Sequence, residues 1–201
     1  MSVNHTRSEI TTQVDGWRDA HDAVNKAADQ LEALWRDGQY DSVIFTGCGS
    51  TYYLAHTAAA LFQSANGVIT RAVPSSELML HPEMVYSRGR PLLVAISRSG
   101  STTETVQAVA QFKSRYQSEA IVISCYDDKP LNTNATINLT ARAGQELSIA
   151  QTRSFSSMLV MAERMAQVAA GSERPDQFPV EQRAFVERMR TQAAQYADPE
   201  R

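Results

Sequence analysis

Apolar residues recur every three or four positions through the N-terminal part of the chain. From Ser8 to Asp37 these positions hold Ile10, Val14, Trp17, His21, Val24, Ala28, Leu31 and Trp35. This period places one apolar stripe along a helix, and Gly38 is a typical helix stop. The pattern predicts a long N-terminal helix that packs on the rest of the chain or on a partner. Trp17 and Trp35 make its stripe a candidate dimer surface.

Five short β-type segments follow, separated by helical stretches. They span Ser42–Thr46, Val68–Val73, Pro91–Ile96, Ala120–Ser124 and Thr136–Leu139. Their apolar residues are continuous rather than alternating, which is typical of strands buried on both faces. Helices are expected at 52–65, 103–118, 155–170 and 180–196. The alternation predicts an α/β fold, a three-layer αβα sandwich with a mainly parallel five-stranded sheet.

Composition narrows the class of protein. The 201 residues are 43% hydrophobic and 20% charged, which is typical of a globular protein. Lys and Arg number 19 against 22 Asp and Glu, a net charge of −3, so the basic surplus of a nucleic-acid-binding protein is missing. Cys48 and Cys125 are too few for a disulfide scaffold, and no apolar stretch approaches the ~20 residues of a membrane helix. We expect a cytoplasmic protein with no nucleic-acid or membrane partner.

Two loops at the carboxyl ends of predicted strands share an unusual composition. Gly47–Thr51 is Gly-Cys-Gly-Ser-Thr, and Ser97–Thr102 is Ser-Arg-Ser-Gly-Ser-Thr. Ligands of open parallel sheets bind at this edge. Small residues let the backbone approach a ligand, each following helix offers free N–H groups, and hydroxyls can donate to a tetrahedral oxyanion. The combination predicts a phosphate-binding cup.

Three other interpretations of these loops stay open. A nicotinamide cofactor site requires the fingerprint Gly-x-Gly-x-x-Gly, and Tyr52 stands at its third glycine. A flavin phosphate loop is compatible with Ser97–Thr102, but that loop follows an internal strand. A helix N-cap cluster without a ligand is the third interpretation, although Arg98 and the many hydroxyls exceed what capping requires. No residues show metal-ligand spacing. We expect neither a metal nor a cofactor.

Five motifs together resemble a known family. They are Gly47–Thr51, Ser76-Glu77, Ser97–Thr102, Ala143–Glu146 and Ala150–Phe155. Their order and spacing are similar to the sugar isomerase (SIS) domain, in particular to the first SIS half of the isomerase part of glucosamine-6-phosphate synthase. The second loop and the stretch 148–155 are closer still to the tagatose-6-phosphate ketose/aldose isomerase type. The resemblance implies a flavodoxin-like nucleotide-fold topology in a phosphosugar-binding domain at 41–171. The N-terminal helix then occupies 1–40, and a linker with a C-terminal helix occupies 172–201.

The resemblance also implies roles for individual residues. Phosphate binding is assigned to Thr51, Ser97, Arg98 through its backbone N–H, Ser99 and Thr102. Ser50 is expected to contact a sugar hydroxyl. Ile149, through its backbone, and Gln151 are expected to contact the sugar chain. Gln151 departs from the Ser of the synthase pattern, which leaves the identity of the sugar open.

Glu146 is the candidate catalytic residue. Ketose–aldose interconversion moves a proton between adjacent carbons, and a carboxylate with a raised pKa suits that task. In the two-half enzymes, however, the resemblance places the proton-transferring Glu and a ring-opening His in the second half. A structural carboxylate that holds loop N–H groups or an arginine is the alternative interpretation of Glu146.

The expected function is phosphosugar binding within a ketose/aldose isomerase. Its substrate is expected to be a hexose phosphate or amino-sugar phosphate, similar to tagatose 6-phosphate or fructose 6-phosphate. Turnover requires a second SIS half or a partner chain to complete the site, so a homodimer or higher homo-oligomer is expected. The alternative is a non-catalytic phosphosugar sensor, or a degenerate half-enzyme that binds sugar phosphate without turnover.

Overall fold

The computed structural model describes residues 5–86 and 89–172. Its helices are α1 His5–Thr11, α2 Gln13–Lys26, α3 Ala28–Gly38, α4 Ser50–Asn66, α5 Ser75–Leu80, α6 Pro82–Val85, α7 Thr103–Tyr116, α8 Pro130–Thr133 and α9 Arg153–Ala169. Its strands are β1 Ser42–Gly47, β2 Ile69–Pro74, β3 Pro91–Ser97, β4 Ala120–Ser124 and β5 Ile137–Thr140. A short 3₁₀ helix spans Arg142–Gly144. The predicted helix at 180–196 and nearly all of the predicted linker lie outside the described residues.

All five strands belong to one parallel sheet in the order β2-β1-β3-β4-β5. Every residue of β3 and β4 is buried, which explains why these segments are continuously apolar. The predicted α/β class and the parallel five-stranded sheet are therefore confirmed. The strand ends differ from the predicted ones by no more than one residue.

Each face of the sheet has its own hydrophobic core, because successive side chains of a strand point to opposite faces. Val43 and Phe45 belong to a core that includes residues of α2, α3, α4 and α9. Ile44, between them, belongs to a second core that includes residues of α5, α6 and α7. Helices thus cover both faces, which confirms the three-layer sandwich.

The N-terminal region is helical as predicted, but it forms three helices rather than one. The first break is at Thr12, whose hydroxyl donates to the carbonyl of Ser8 at 2.9 Å. Such side-chain bonds to the preceding turn bend or interrupt helices. The second break is at Ala27, whose N–H bonds to the carbonyl of Val24, three residues back, at 3.1 Å. The prediction of one continuous helix was wrong because apolar spacing does not record these local bonds.

The stripe on these helices packs against the chain itself. A Cβ atom at Gly16 would lie 2.4 Å from Ser157 Oγ, so α2 approaches α9 closely. Trp17 Nε1 donates to Ser156 Oγ at 2.7 Å, and Trp35 packs edge-on against Phe62 with ring centroids 5.1 Å apart. Both tryptophans thus make contacts within the chain but are only half-buried, and the dimer surface predicted on them stays a prediction.

The sheet order places a crevice between β1 and β3. From β1 the chain passes outward through α4 to β2, whereas from β3 it passes through α7 to β4 on the other side. The connections that follow β1 and β3 therefore diverge and leave an opening at the carboxyl ends of these strands. The two loops singled out from the sequence lie at this opening.

Candidate functional site

The two hydroxyl-rich loops leave adjacent strands at the same edge of the sheet. Thr46 pairs with Ala95 across β1 and β3, so Gly47–Thr51 and Ser97–Thr102 begin side by side. Burial raises the pKa of the Cys48 thiol in the first loop, and the Glu104 carboxylate in the first turn of α7 raises it further. The structure therefore brings together the two loops that the sequence only suggested were neighbours.

The first loop is closed by Thr51. Its Oγ1 accepts a hydrogen bond from the Cys48 N–H at 3.0 Å and donates to the Cys48 carbonyl at 2.9 Å. Thr51 is buried, whereas Ser50 is exposed. Gly49, with φ +59°, turns the chain into α4. Thr51 thus uses its hydroxyl within the loop, and the phosphate role assigned to it remains a prediction.

The second loop is curled around its own serine hydroxyls. Ser97 is buried, and its Oγ accepts from the Gly100 N–H at 3.2 Å and lies 3.4 Å from Thr102 Oγ1. Ser99 Oγ accepts from the N–H and the hydroxyl of Ser101, at 3.3 and 3.0 Å. Ser99 and Thr102 are only half-buried. Their hydroxyls are the accessible ones among the predicted phosphate ligands of this loop.

Gly100 holds the second loop against the segment that follows β4. Its φ is +63°, and a Cβ atom there would lie 2.8 Å from Lys129 Cβ. The Leu131 N–H donates to its carbonyl at 3.0 Å. Only glycine combines this backbone conformation with so close an approach.

Both loops lead into helix N-termini that have no side-chain cap. Gly49 precedes α4 and Thr102 precedes α7, and neither makes a side-chain capping bond. The first-turn N–H groups of two long helices therefore face the same crevice, together with their positive dipole ends. Capping does not account for the hydroxyls, and the arrangement is chemically suited to an oxyanion.

Glu146 is buried at the start of α9. Its Oε1 accepts from the Thr152 N–H at 2.7 Å and the Thr152 hydroxyl at 2.6 Å, and its Oε2 accepts from the Ser154 hydroxyl. Arg98 Nη1 lies 3.8 Å from Oε2, and the Glu146 side chain has no exposed surface. The carboxylate thus accepts a hydrogen bond from a loop N–H group and lies near an arginine. This is the arrangement expected if Glu146 has a structural role. A catalytic role for Glu146 remains a prediction.

Arg98 connects the second loop to the stretch predicted to contact the sugar. Its Nη1 donates to the carbonyls of Ser148 at 3.1 Å and Ile149 at 3.3 Å. Ile149 is 96% exposed, so its backbone carbonyl, bonded to Arg98, is the fixed part of this residue. Gln151 is half-buried, and its buried amide oxygen has no hydrogen-bond partner within the described ranges 5–86 and 89–172.

Glu9 on α1 supports the backbone at residues 147 and 148, and it was not among the residues predicted from the sequence. The buried Glu9 accepts from the N–H groups of Leu147 at 2.6 Å and Ser148 at 3.3 Å. Burial by itself raises the pKa of Glu9, but hydrogen bonds from Ser148 and Leu147 and the nearby Arg153 lower it overall. No sequence signal marks this contact, because Glu9 belongs to no motif and its partners lie 138 and 139 residues further along the chain.

The two cysteines are free thiols. Burial and the Glu104 carboxylate raise the pKa of Cys48, and burial raises the pKa of Cys125 to about 12. Both thiols are therefore protonated at neutral pH and are poor nucleophiles. Within residues 5–86 and 89–172 no group of three or more potential metal-ligating side chains occurs, and no helix there could cross a membrane.

Comparisons with protein families and with known sequences both match this chain to sugar isomerase (SIS) domains and the enzymes that contain them. The family model of the SIS domain matches residues 39–167. The isomerizing glutamine–fructose-6-phosphate aminotransferase of Pyrococcus horikoshii is 30% identical over 159 residues, 79% of this chain and 26% of that protein. The corresponding protein of Methanothermobacter thermautotrophicus is 29% identical over 148 residues, 70% of this chain and 23% of that protein. The chain thus spans about a quarter of the length of these two relatives.

Solved structures show the same fold. Tagatose-6-phosphate ketose/aldose isomerase from Escherichia coli matches with a TM-score of 0.80 and 20% identity, over 95% of this chain and 53% of that chain. The C-terminal domain of glucosamine-fructose-6-phosphate aminotransferase from Francisella tularensis matches with a TM-score of 0.69 and 20% identity, over 96% of this chain and 55% of that one.

Replacing Gly100 by alanine tests the close contact in the second loop. Gly67→Ala is the control, because Gly67 has a similar φ of +68° with nothing within 4 Å of its Cβ position. Both variants incur the left-handed backbone cost of about 1–2 kcal/mol. Gly100→Ala is expected to cost a further 1–3 kcal/mol or so because of the clash with Lys129. Chemical denaturation measures both, and equal losses would contradict the contact.

Proposed function

Since this chain belongs to the SIS domain family, we propose that it binds the phosphate of a hexose phosphate or amino-sugar phosphate between its two hydroxyl-rich loops. We propose that it does so as the phosphosugar-binding part of a ketose/aldose isomerase. The observation that carries the proposal is the arrangement of Gly47–Thr51 and Ser97–Thr102. Both loops start at the carboxyl ends of adjacent strands and end at uncapped helix N-termini.

The phosphate is held by neutral donors in this proposal. The half-buried Ser99 and Thr102 offer hydroxyls, and the first turns of α4 and α7 offer N–H groups. The Arg98 guanidinium faces the carbonyls of Ser148 and Ile149 instead of the loop. Binding energy from the non-reacting phosphate positions the reacting carbons, which is the usual use of such a group in catalysis.

The stretch 148–151 contacts the sugar chain in this proposal. Arg98 holds the Ile149 carbonyl in place, and the half-buried Gln151 carries a side-chain amide that can hydrogen-bond to a sugar hydroxyl. Ser50 is exposed at the first loop and can contact another hydroxyl. Because Arg98 belongs to the second loop, the phosphate and the sugar are bound by segments that are directly connected.

Glu146 acts in this proposal as a positioning residue that holds the start of α9. Both of its oxygens accept hydrogen bonds, three in all, from the first residues of this segment. The same observation favours the second candidate function, a phosphosugar sensor or degenerate half-enzyme that binds without turnover in a single copy of the chain. Turnover then requires a proton-transferring group from another segment or from a second copy.

A second copy is the partner we propose. Ile10, Leu147 and Ile149 are 42%, 79% and 96% exposed, and they belong to α1 and to the stretch beside the candidate site. Exposed apolar side chains that are close together mark interaction surfaces. A homodimer formed through them covers the crevice and brings groups of the partner copy near the bound sugar.

Replacing Ser99 by alanine tests phosphate binding. We expect affinity for fructose 6-phosphate and tagatose 6-phosphate to fall by about 1–2 kcal/mol, roughly ten-fold, because a hydrogen bond to a charged group is lost. Titration calorimetry measures the change. Ser114→Ala, at an exposed position near the other end of α7, is the control and is expected to bind as the wild type does. An unaltered affinity of Ser99→Ala would show that the second loop is not the phosphate site.

Replacing Glu146 by glutamine separates its two interpretations. As a positioning residue, its loss is expected to lower the unfolding free energy by roughly 2–3 kcal/mol, because the Thr152 and Ser154 donors lose a charged acceptor. Denaturation measures that loss, and sugar-phosphate isomerisation followed by NMR measures turnover. If wild-type turnover is detected and the variant loses it at unchanged stability and affinity, Glu146 is the base instead.

Placing charges on the exposed apolar residues tests the homodimer. We expect the wild-type chain to be dimeric and the double variant Leu147→Asp, Ile149→Asp to be monomeric, because aspartate is costly to bury at an interface. Light scattering after size-exclusion chromatography measures the mass. Leu80→Asp is the control, since Leu80 is 62% exposed on α5, away from this stretch. A wild-type monomer, or a double variant that remains dimeric, rejects the surface.

A further inference from the structure

Three hydroxyl groups form a buried chain next to the two phosphate loops. Thr46 Oγ1 lies 3.0 Å from Ser75 Oγ, and Ser75 Oγ lies 3.0 Å from Thr105 Oγ1. All three residues are 0% exposed. They belong to β1, to the start of α5 and to the first turn of α7.

The position of this hydroxyl chain relates it to both loops. Thr46 directly precedes the first loop, and Thr105 lies three residues after Thr102, the last residue of the second loop. Ser75 follows Pro74, which pairs with Gly47 across β1 and β2. The central hydroxyl therefore connects the start of one loop to the helix that ends the other.

Elsewhere these elements pack through apolar side chains. Ile44, Leu78 and Ala108, one from each of these elements, belong to the hydrophobic core on this face of the sheet. An apolar contact tolerates small shifts, whereas a hydrogen bond is restricted in distance and direction. Buried hydroxyls lower stability unless they are paired, so each member of the chain depends on its neighbour. The three paired hydroxyls thus restrict the relative positions of β1, α5 and α7 close to the two loops.

We propose that the Thr46–Ser75–Thr105 hydroxyl chain sets the spacing and orientation of the two loops, and thereby the shape of the phosphate cup. Ser75 is the central positioning residue: its hydroxyl contacts Thr46 and Thr105. The effect on ligand affinity rests on the proposed function. The effect on loop geometry does not, and it can be measured in the ligand-free protein.

The test compares Ser75→Ala with Ser118→Ala. Ser118 is also a buried serine, but its hydroxyl donates to the Pro91 carbonyl at 2.7 Å, at the amino end of the sheet. Ser75→Ala loses two buried hydrogen bonds and Ser118→Ala loses one, so both variants are expected to lose stability, Ser75→Ala more of it. Only Ser75→Ala is expected to weaken binding of fructose 6-phosphate, by roughly five- to ten-fold, the scale of coupling through a positioning residue.

Amide hydrogen exchange gives the readout that is independent of the ligand. The Cys48 and Gly100 N–H groups are bonded to hydroxyls within the first and second loops, so their protection reports on loop order. We expect faster exchange at both amides in Ser75→Ala and wild-type exchange at both in Ser118→Ala. The same exchange at these amides in both variants overturns the inference.

A second pair of variants covers the case in which Ser75→Ala does not fold. Thr105→Val removes a hydroxyl while keeping the shape, and Thr105→Ser keeps the hydroxyl. Thr105→Val is expected to behave like Ser75→Ala, and Thr105→Ser like the wild type; equal behaviour of the pair overturns the inference. If the wild type binds no sugar phosphate but loop exchange responds as described, the proposed function fails and the positioning role stands.

Discussion

The parallel pairing of β1 with β3 is the interaction on which the candidate site depends. It places two loops that are far apart in the sequence at the same edge of the sheet, each followed by a long helix. Because β2 lies on one side of this pair and β4 on the other, the connections diverge and leave an opening. The sheet is stable in this order because helices bury both of its faces, each over its own core.

The proposed phosphate site relies on neutral donors rather than on a cationic side chain. Serine and threonine hydroxyls and helix N–H groups are neutral donors, so the empty site does not bury an unpaired positive charge. The arginine of the second loop is used differently, because Arg98 binds the carbonyls of Ser148 and Ile149. The Arg98 charge thus holds two segments of the protein together, and in the proposed function the phosphate is bound by helix dipoles and hydroxyls.

Buried polar contacts determine how the loops and the α9 segment are held. Glu146 orders the start of α9, Glu9 holds the backbone of Leu147 and Ser148, and Asp19 accepts from the N–H of Ala143 at 2.8 Å. The N-terminal helices therefore do more than bury their apolar stripe. Their carboxylates also support the segment that carries the candidate sugar contacts. Since each acceptor is a charged group bonded to a backbone N–H, these contacts are directional as well as strong.

Much of the fold could be predicted from the sequence because burial and backbone conformation leave local patterns. Continuous apolar segments revealed the strands, and glycine and hydroxyl clusters revealed both loops. The prediction of a single N-terminal helix was wrong because Thr12 bonds locally to Ser8, and apolar spacing does not show such a bond. The support by Glu9, the orientation of Arg98 and the Thr46–Ser75–Thr105 chain could not be predicted. Those contacts join residues far apart in the sequence, and only the folded backbone decides which distant hydroxyl or carboxylate comes within 3 Å or so of its partner.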